Sequence, residues 1–260
     1  MKNLFLKTLY QKRLMMLFWF MGITAMTLLT MSFFSAFVNP DNTHLFANLP
    51  KSVQKIIGSV DSFKTVSGYI AQQIYTLRIP LLSMILSISL MVGLSAGDEQ
   101  RGLLETQLTL PLSRTKLLLQ KIAVGLVVIA VALCGSVVGI LASFPIIGHS
   151  TAILPVLRQA FNCFVVVADY GLFALMIAAV TGKRGLAIGL GSGMAFLGYL
   201  VDSMASSVHY LQTVDPVSLF HYYSTSGFSG RNFVILASLG AVMISVALIG
   251  FNRRDLNTGG

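Results

Sequence analysis

The sequence predicts an all-α polytopic membrane protein. Six transmembrane helices are expected, with an N-terminal amphipathic surface helix and a short cytosolic helix between spans two and three. Three observations carry this reading. Hydrophobic residues make up 55% of the 260 and charged residues only 10%, where a soluble domain carries about a quarter charged. The mean hydropathy is +0.79. Six apolar runs reach or approach the roughly 20 residues that a helix needs to cross the hydrocarbon core. With so little polar surface, lipid must be the main solvent.

Residues from Leu14 to Pro40 hold no charge and give span one, about 14–38. Span two covers about 70–97; it starts near Tyr69 and is uncharged from Ile79 to Gly97. Span three, about 117–144, is expected to stop at Pro145, which cannot continue a helix. Spans four, five and six follow at about 156–180, 185–202 and 232–252. No repeat, linker or low-complexity segment divides the chain, so residues 1–260 read as a single transmembrane domain. The apolar run after Arg13 is span-length and lacks a small-residue cleavage site, so the N-terminus does not read as a cleavable signal.

Charge sets the orientation. The formal net charge is +9, but the basic residues flank apolar runs instead of clustering on one face, which argues against nucleic acid as a partner. Twelve of the 18 basic residues fall at the N-terminus, between spans two and three, between spans four and five, or in the tail. That bias places both termini in the cytoplasm of a multi-pass protein in the plasma (inner) membrane. Cys134 and Cys163 lie inside apolar runs and specify neither a disulfide nor a metal site. From Lys2 to Arg13, the apolar positions Leu4, Phe5 and Leu9, with Thr8, recur at helical spacing beside Lys7, Lys12 and Arg13. An amphipathic helix on the cytoplasmic membrane surface is expected there. On the other side, 39–68 and 202–232 mix apolar and polar residues, with aromatics suited to the membrane interface.

The most polar long stretch is GDEQRGLLETQLTLPLSRTKLLLQK, from Gly97 to Lys121. Asp98 to Leu108 reads as a short helix, in which Arg101 and Glu105 stand four apart and can pair. Leu104 and Leu108 form a ridge beside them. Pro111 ends that helix, and Ser113 can cap a new one that runs into span three.

This stretch resembles the acidic-Gly-Leu-Glu-x-x-Leu-x-x-Pro-x-Ser-Arg segment of type 2 ABC exporter permeases. The tail GFNRRDL, the stretch DPVSLFHYY before the last span, the leader and the six-span layout extend the likeness over essentially the whole chain. Leu103 stands where that family usually has Thr, and Glu105 stays in register. The resemblance implies a transmembrane permease whose loop helix docks on a separate cytosolic ABC ATPase subunit. Asp98, Glu99, Arg101, Gly102, Glu105, Pro111, Ser113 and Arg114 would form the docking and transmission element. It also implies a second permease, as a homodimer or heterodimer, and export of hydrophobic or amphipathic cargo (drugs, peptides or lipids) through a cavity between the two, for which spans two and five are the expected lining. The chain itself has no G-x-x-x-x-G-K-[ST] motif. ATP and Mg are therefore expected in the partner, with no cofactor, metal or catalytic residue here.

Asp169 is the one ionisable residue well inside a span, about 16 Å from Arg158 and about 21 Å from Lys183 at helical rise. It marks either a polar cavity or an acid that holds helices together, and it is the basis of an alternative reading, an ion-coupled secondary transporter. Gly185, Gly189 and Gly193 recur four apart in span five, with Gly191 and Gly198 nearby, a spacing that suits close helix packing. No paired catalytic residues support an intramembrane enzyme.

The charge bias is testable. A cysteine replacing Asn42 should label with an impermeant maleimide on intact cells, and one replacing Lys183 only after permeabilisation. The reverse pattern would invert the topology.

Overall fold

The computed structural model describes residues 4–34, 65–102, 113–205, 210, 213, 215–225, 227 and 229–254. These form seven helices: α1 (Leu4–Gln11), α2 (Arg13–Ser32), α3 (Val66–Gln100), α4 (Arg114–Ile147), α5 (Ile153–Thr181), α6 (Arg184–Ala205) and α7 (Gly230–Arg253). Helices α2 to α7 are long and apolar enough to cross a membrane. Among the described residues there is no strand, and two 3-10 turns, Asp215–Val217 and Leu219–Tyr222, precede α7.

The long helices alternate in direction, so that two ends can be told apart. At one end Lys12, Asp98, Arg114, Gly182 and Arg254 gather; this is the basic end. At the opposite end the Tyr69 hydroxyl donates to Thr30 O at 2.7 Å. There Phe34 meets the rings of Tyr69 and His149 edge-on, at 5.2 and 5.7 Å.

Helix α5 is the centre of the bundle and packs against α3, α4, α6 and α7. Its Val167, Tyr170, Ala174, Leu175 and Ala178 are fully buried. Helix α2 packs mainly on α4, while Leu14, Leu17 and Phe18 on α2 and Val234, Val242 and Ile249 on α7 point outward. Lipid tails solvate such side chains as well as a core does, so helix association has to come from close packing and hydrogen bonds. The α2–α4 contact supplies both. A Cβ on Gly135 would lie 2.5 Å from Phe20 O, and one on Gly139 would lie 2.9 Å from Thr24 O. The Thr24 hydroxyl is shared between Phe20 O at 2.7 Å and Gly135 O at 3.0 Å.

Helix α3 departs from α-pitch twice, with π segments at Ile70–Tyr75 and Gly93–Gly97. A π segment leaves carbonyls without their usual partners, and these need donors where water is scarce. At the first, the Thr76 hydroxyl donates to Ala71 O at 3.0 Å and Arg78 Nη1 to Gln73 O at 2.7 Å. The second delivers the chain directly to Asp98.

The expected stop at Pro145 is corrected: α4 continues through Pro145 to Ile147. Pro145 stands two residues before the helix end, so its missing amide and its ring disturb only the final stretch of α4. Gly148 is the actual terminator, left-handed at φ 70° with its N–H on Phe144 O at 3.1 Å. The leader is helical as α1, separated from α2 by Lys12 alone. Its Leu4, Phe5 and Leu9 pack on the protein core and Thr8 is buried, while Leu6 and Tyr10 are exposed. The apolar stripe thus faces the bundle, where α1 packs against α4.

The glycine contacts lead to a direct comparison. Gly139→Leu should drive α2 from α4 and lower the thermal stability of the purified protein by about 1–3 kcal/mol or more. Gly189→Leu, whose position has no neighbour within 4 Å, should leave the stability of the single chain nearly unchanged. Equal effects would contradict the packing.

Candidate functional site

At the basic end the tips of four long helices meet. Asp98 and Glu99 form the last turn of α3. Acids at a helix C-terminus sit where the backbone dipole is already negative, so they need cations nearby. Both have one. Lys121 Nζ on α4 lies 2.7 Å from Asp98 Oδ2. Lys121 is only 1% exposed and Asp98 is also buried. Glu99 Oε2 pairs with Arg254 Nη2, just beyond the end of α7.

Arg254 gathers the remaining strands of the contact. Its carbonyl accepts from Arg114 Nη1 at 3.1 Å, and its guanidinium lies over Gly182. Gly182 is favoured there because it ends α5 in the left-handed region at φ 69°, and a Cβ would also make the Arg254 guanidinium shift. Two residues back, at the end of α7, Asn252 Nδ2 donates to Thr115 Oγ1 at 2.9 Å. Ser113 takes an extended conformation and accepts from Lys116 N at 3.3 Å, so it caps α4 as its sequence position indicates.

The structure therefore brings Asp98, Glu99 and Arg114 into one polar clasp, with Ser113 capping α4 next to Arg114. One expectation is corrected. Asp98 does not open a separate helix: Asp98–Gln100 continue α3, and that run stops at Gln100. Arg101 leaves helical geometry, and Gly102 turns at φ 69° with its N–H on Glu99 O at 2.9 Å. Arg101 and Gly102 are exposed. Glu105 and Pro111 fall in 103–112, outside the described residues, and with Glu105 goes the expected partner of Arg101. Sequence reasoning missed the roles of Lys121 and Arg254. A lysine seven residues into an apolar helix was a signal for the first, and the doubled arginine after the last span for the second.

Asp169 lies within α5, 3% exposed. Its Oδ1 is so close to α7 that a Cβ on Gly240 would lie 2.7 Å from it. Asp169 Oδ2 has no hydrogen-bond partner among the described residues. The three span-five glycines do not meet a neighbouring helix of this chain: nothing described lies within 4 Å of a Cβ on Gly185, Gly189 or Gly193. Gly191 faces Ala174 and Ile88, and Gly198 faces Tyr170 and Ser218, so these two make the close contacts within the chain.

Breaking a buried ion pair from one side strands a charge, whereas replacing both partners by apolar groups need not destabilise. Lys121→Met should therefore lower stability by about 3–5 kcal/mol. The double variant Asp98→Leu/Lys121→Met should recover most of that loss in thermal unfolding. Simple additivity of the two changes would show that the pair is not coupled.

The family model of the multidrug efflux system permease Rv1217c, C-terminal domain, matches residues 8–252. Among curated proteins none matches the chain. The matched stretch takes in the six long helices almost entirely, together with Asp98, Glu99, Arg114, Lys121 and Gly182. The chain belongs to this family of multidrug efflux permeases, in agreement with the resemblance of its 98–121 segment to type 2 ABC exporter permeases.

Proposed function

We propose that the chain is the transmembrane permease subunit of an ATP-driven ABC exporter that moves hydrophobic or amphipathic cargo out of the cytoplasm. The observation that carries this is the clasp. Asp98 and Glu99 are tied to Lys121 of α4 and to Arg254 beyond α7, with Gly182 of the α5–α6 turn beneath the same guanidinium. A force applied to the 103–112 segment would enter several spans at once instead of being lost in a solvated loop. The family match, to a multidrug efflux permease, supports the direction and the class of cargo.

In this reading a cytosolic ATPase subunit binds ATP and Mg, grips the polar stretch around Glu105, and on closing switches the cavity from inward to outward. The basic end faces the cytoplasm of the inner membrane, with both termini there and α1 at the membrane surface beside the docking segment. A second permease, identical or related, completes the transporter. The unfilled Gly185, Gly189 and Gly193 face of α6 offers it a surface for close approach. Ion-coupled secondary transport would rest on Asp169 alone.

Glu105→Lys separates these readings. On a helix the change would cost only a few tenths of a kcal/mol, so the protein should insert and dimerise normally. A charge-assisted contact to the ATPase is worth about 1.5–3 kcal/mol. Stimulated ATPase activity and transport of the reconstituted complex should therefore fall about ten- to hundredfold, while Lys51→Glu leaves both unchanged. Undiminished coupling in the Glu105 variant would remove this segment from the transmission path.

A further inference from the structure

At the end opposite the clasp, helix α3 is not one rod. Leu77 has φ −132° and ψ −54°, where an α-helix has about −63° and −42°. The axis therefore breaks between the first π segment and the long stretch that begins at Arg78. The cause stands three residues on. Pro80 has no N–H to offer the carbonyl of Thr76, and its ring crowds that carbonyl. Side chains serve the carbonyls before the break: the Tyr223 hydroxyl donates to Tyr75 O at 2.6 Å, beside the bonds from Thr76 and Arg78. Such bonds can follow a turn of the axis that a main-chain ladder would resist.

Residues 65–76 thus form a short arm with two unlike faces. Val66, Tyr69, Ile70, Ile74 and Tyr75 are buried, and the Tyr69 hydroxyl fastens the tip of the arm to Thr30 O of α2. On the other face, Ser67, Gly68, Ala71 and Gln72 line a cavity of about 460 Å³. The walls opposite the arm are fixed to each other. Asn162 Nδ2 of α5 donates to Ser224 O at 2.8 Å and to Gly227 O at 3.1 Å, and Gln159 Nε2 donates to Thr225 O at 3.0 Å. The arm has a break at its root, a hydrogen bond at its tip and open space behind it.

From Leu77 to Tyr69 the arm is about 12 Å long at α-helical rise. A turn of about 20°, the size of an ordinary helix kink, would carry Tyr69 about 4 Å, out of reach of Thr30 O. We propose that residues 65–76 are the outer gate of the cargo path. The arm swings about Leu77–Pro80 into the cavity beside α5, a gap opens next to α2, and the Tyr69 bond holds the gate shut. The gating role rests on the exporter reading; the swing does not, since no ATPase enters it.

The test is the distance between two spin labels on the purified full chain, read by double electron–electron resonance. The labels sit at Ser32 of α2 and Thr65 of the arm, both exposed, after Cys134 and Cys163 are replaced by Ala. A main distance and a less populated longer one are expected. Tyr69→Phe removes the tip bond and should raise the longer population roughly two- to tenfold. Ala71→Trp fills the cavity from the face turned away from the core; it should remove the longer population, in the Tyr69→Phe background as well. Ala71→Leu should act in the same direction to a smaller extent, so a folding defect of the larger residue does not decide the result. A single distance that Tyr69→Phe leaves unchanged, or a longer population that survives both cavity-filling changes, would overturn the swing. In the reconstituted complex Ala71→Trp should abolish transport while the ATPase subunit stays bound, and full transport with the swing suppressed would overturn the gate. Absence of ATP-driven transport by the unaltered protein would count against the exporter reading, and the gating role would fall with it while the swing stands.

Discussion

A carboxylate at the C-terminal tip of a helix and an ammonium inside an apolar helix are each unfavourable alone. Asp98 and Lys121 are both, and they resolve each other at 2.7 Å. Much at the basic end follows from that pairing. Because Lys121 is fully buried and seven residues into α4, its partner must come to it, which fixes where α3 ends. Glu99 is then turned toward Arg254, and α7 has to finish within reach. Gly182 leaves room for the guanidinium and so sets how closely the α5–α6 turn approaches. Charge organises this end of a bundle whose remaining surface is almost indifferent to it.

Elsewhere the ordering principle is steric. Apolar side chains gain little by leaving lipid for protein, so the exposed Phe18, Phe196 and Val234 carry no strong penalty. What selects one helix neighbour over another is how near two backbones can come. The α2–α4 pair reaches that limit at Gly135 and Gly139, where a threonine hydroxyl spans the seam. The central helix α5 reaches it at Gly171, whose added Cβ would meet the Ser87 side chain of α3. The Ser87 hydroxyl in turn donates to Val167 O at 2.8 Å.

The number of the spans and their approximate places were legible because the length of an apolar run is a direct measure of bilayer thickness. The Ser113 cap was legible because capping is local, set by a hydroxyl three residues from the amide it accepts. The clasp was not, since Asp98 and Lys121 are 23 residues apart and Glu99 and Arg254 are 155 apart. No periodicity connects such positions. The glycines teach the same lesson. Gly135 and Gly139 have the spacing of Gly185 and Gly189, yet only the first pair touches another helix of the chain. Spacing says that a face is narrow; it does not say what stands opposite. The π segments of α3 span six and five residues, too few for a change of period to appear in the pattern of side chains.

Those two segments give α3 a property that its neighbours lack. Each residue of register in a helix corresponds to about 1.5 Å of travel and about 100° of rotation. The wider ring at Gly93–Gly97 stores part of one such step next to Asp98 and Glu99. Closing it to ordinary pitch would swing both carboxylates around the helix axis and away from their cations, without bending the helix or unpacking its middle. The angular setting of the last turn of α3 is thus held by two ion pairs that stand next to five residues of loosened pitch.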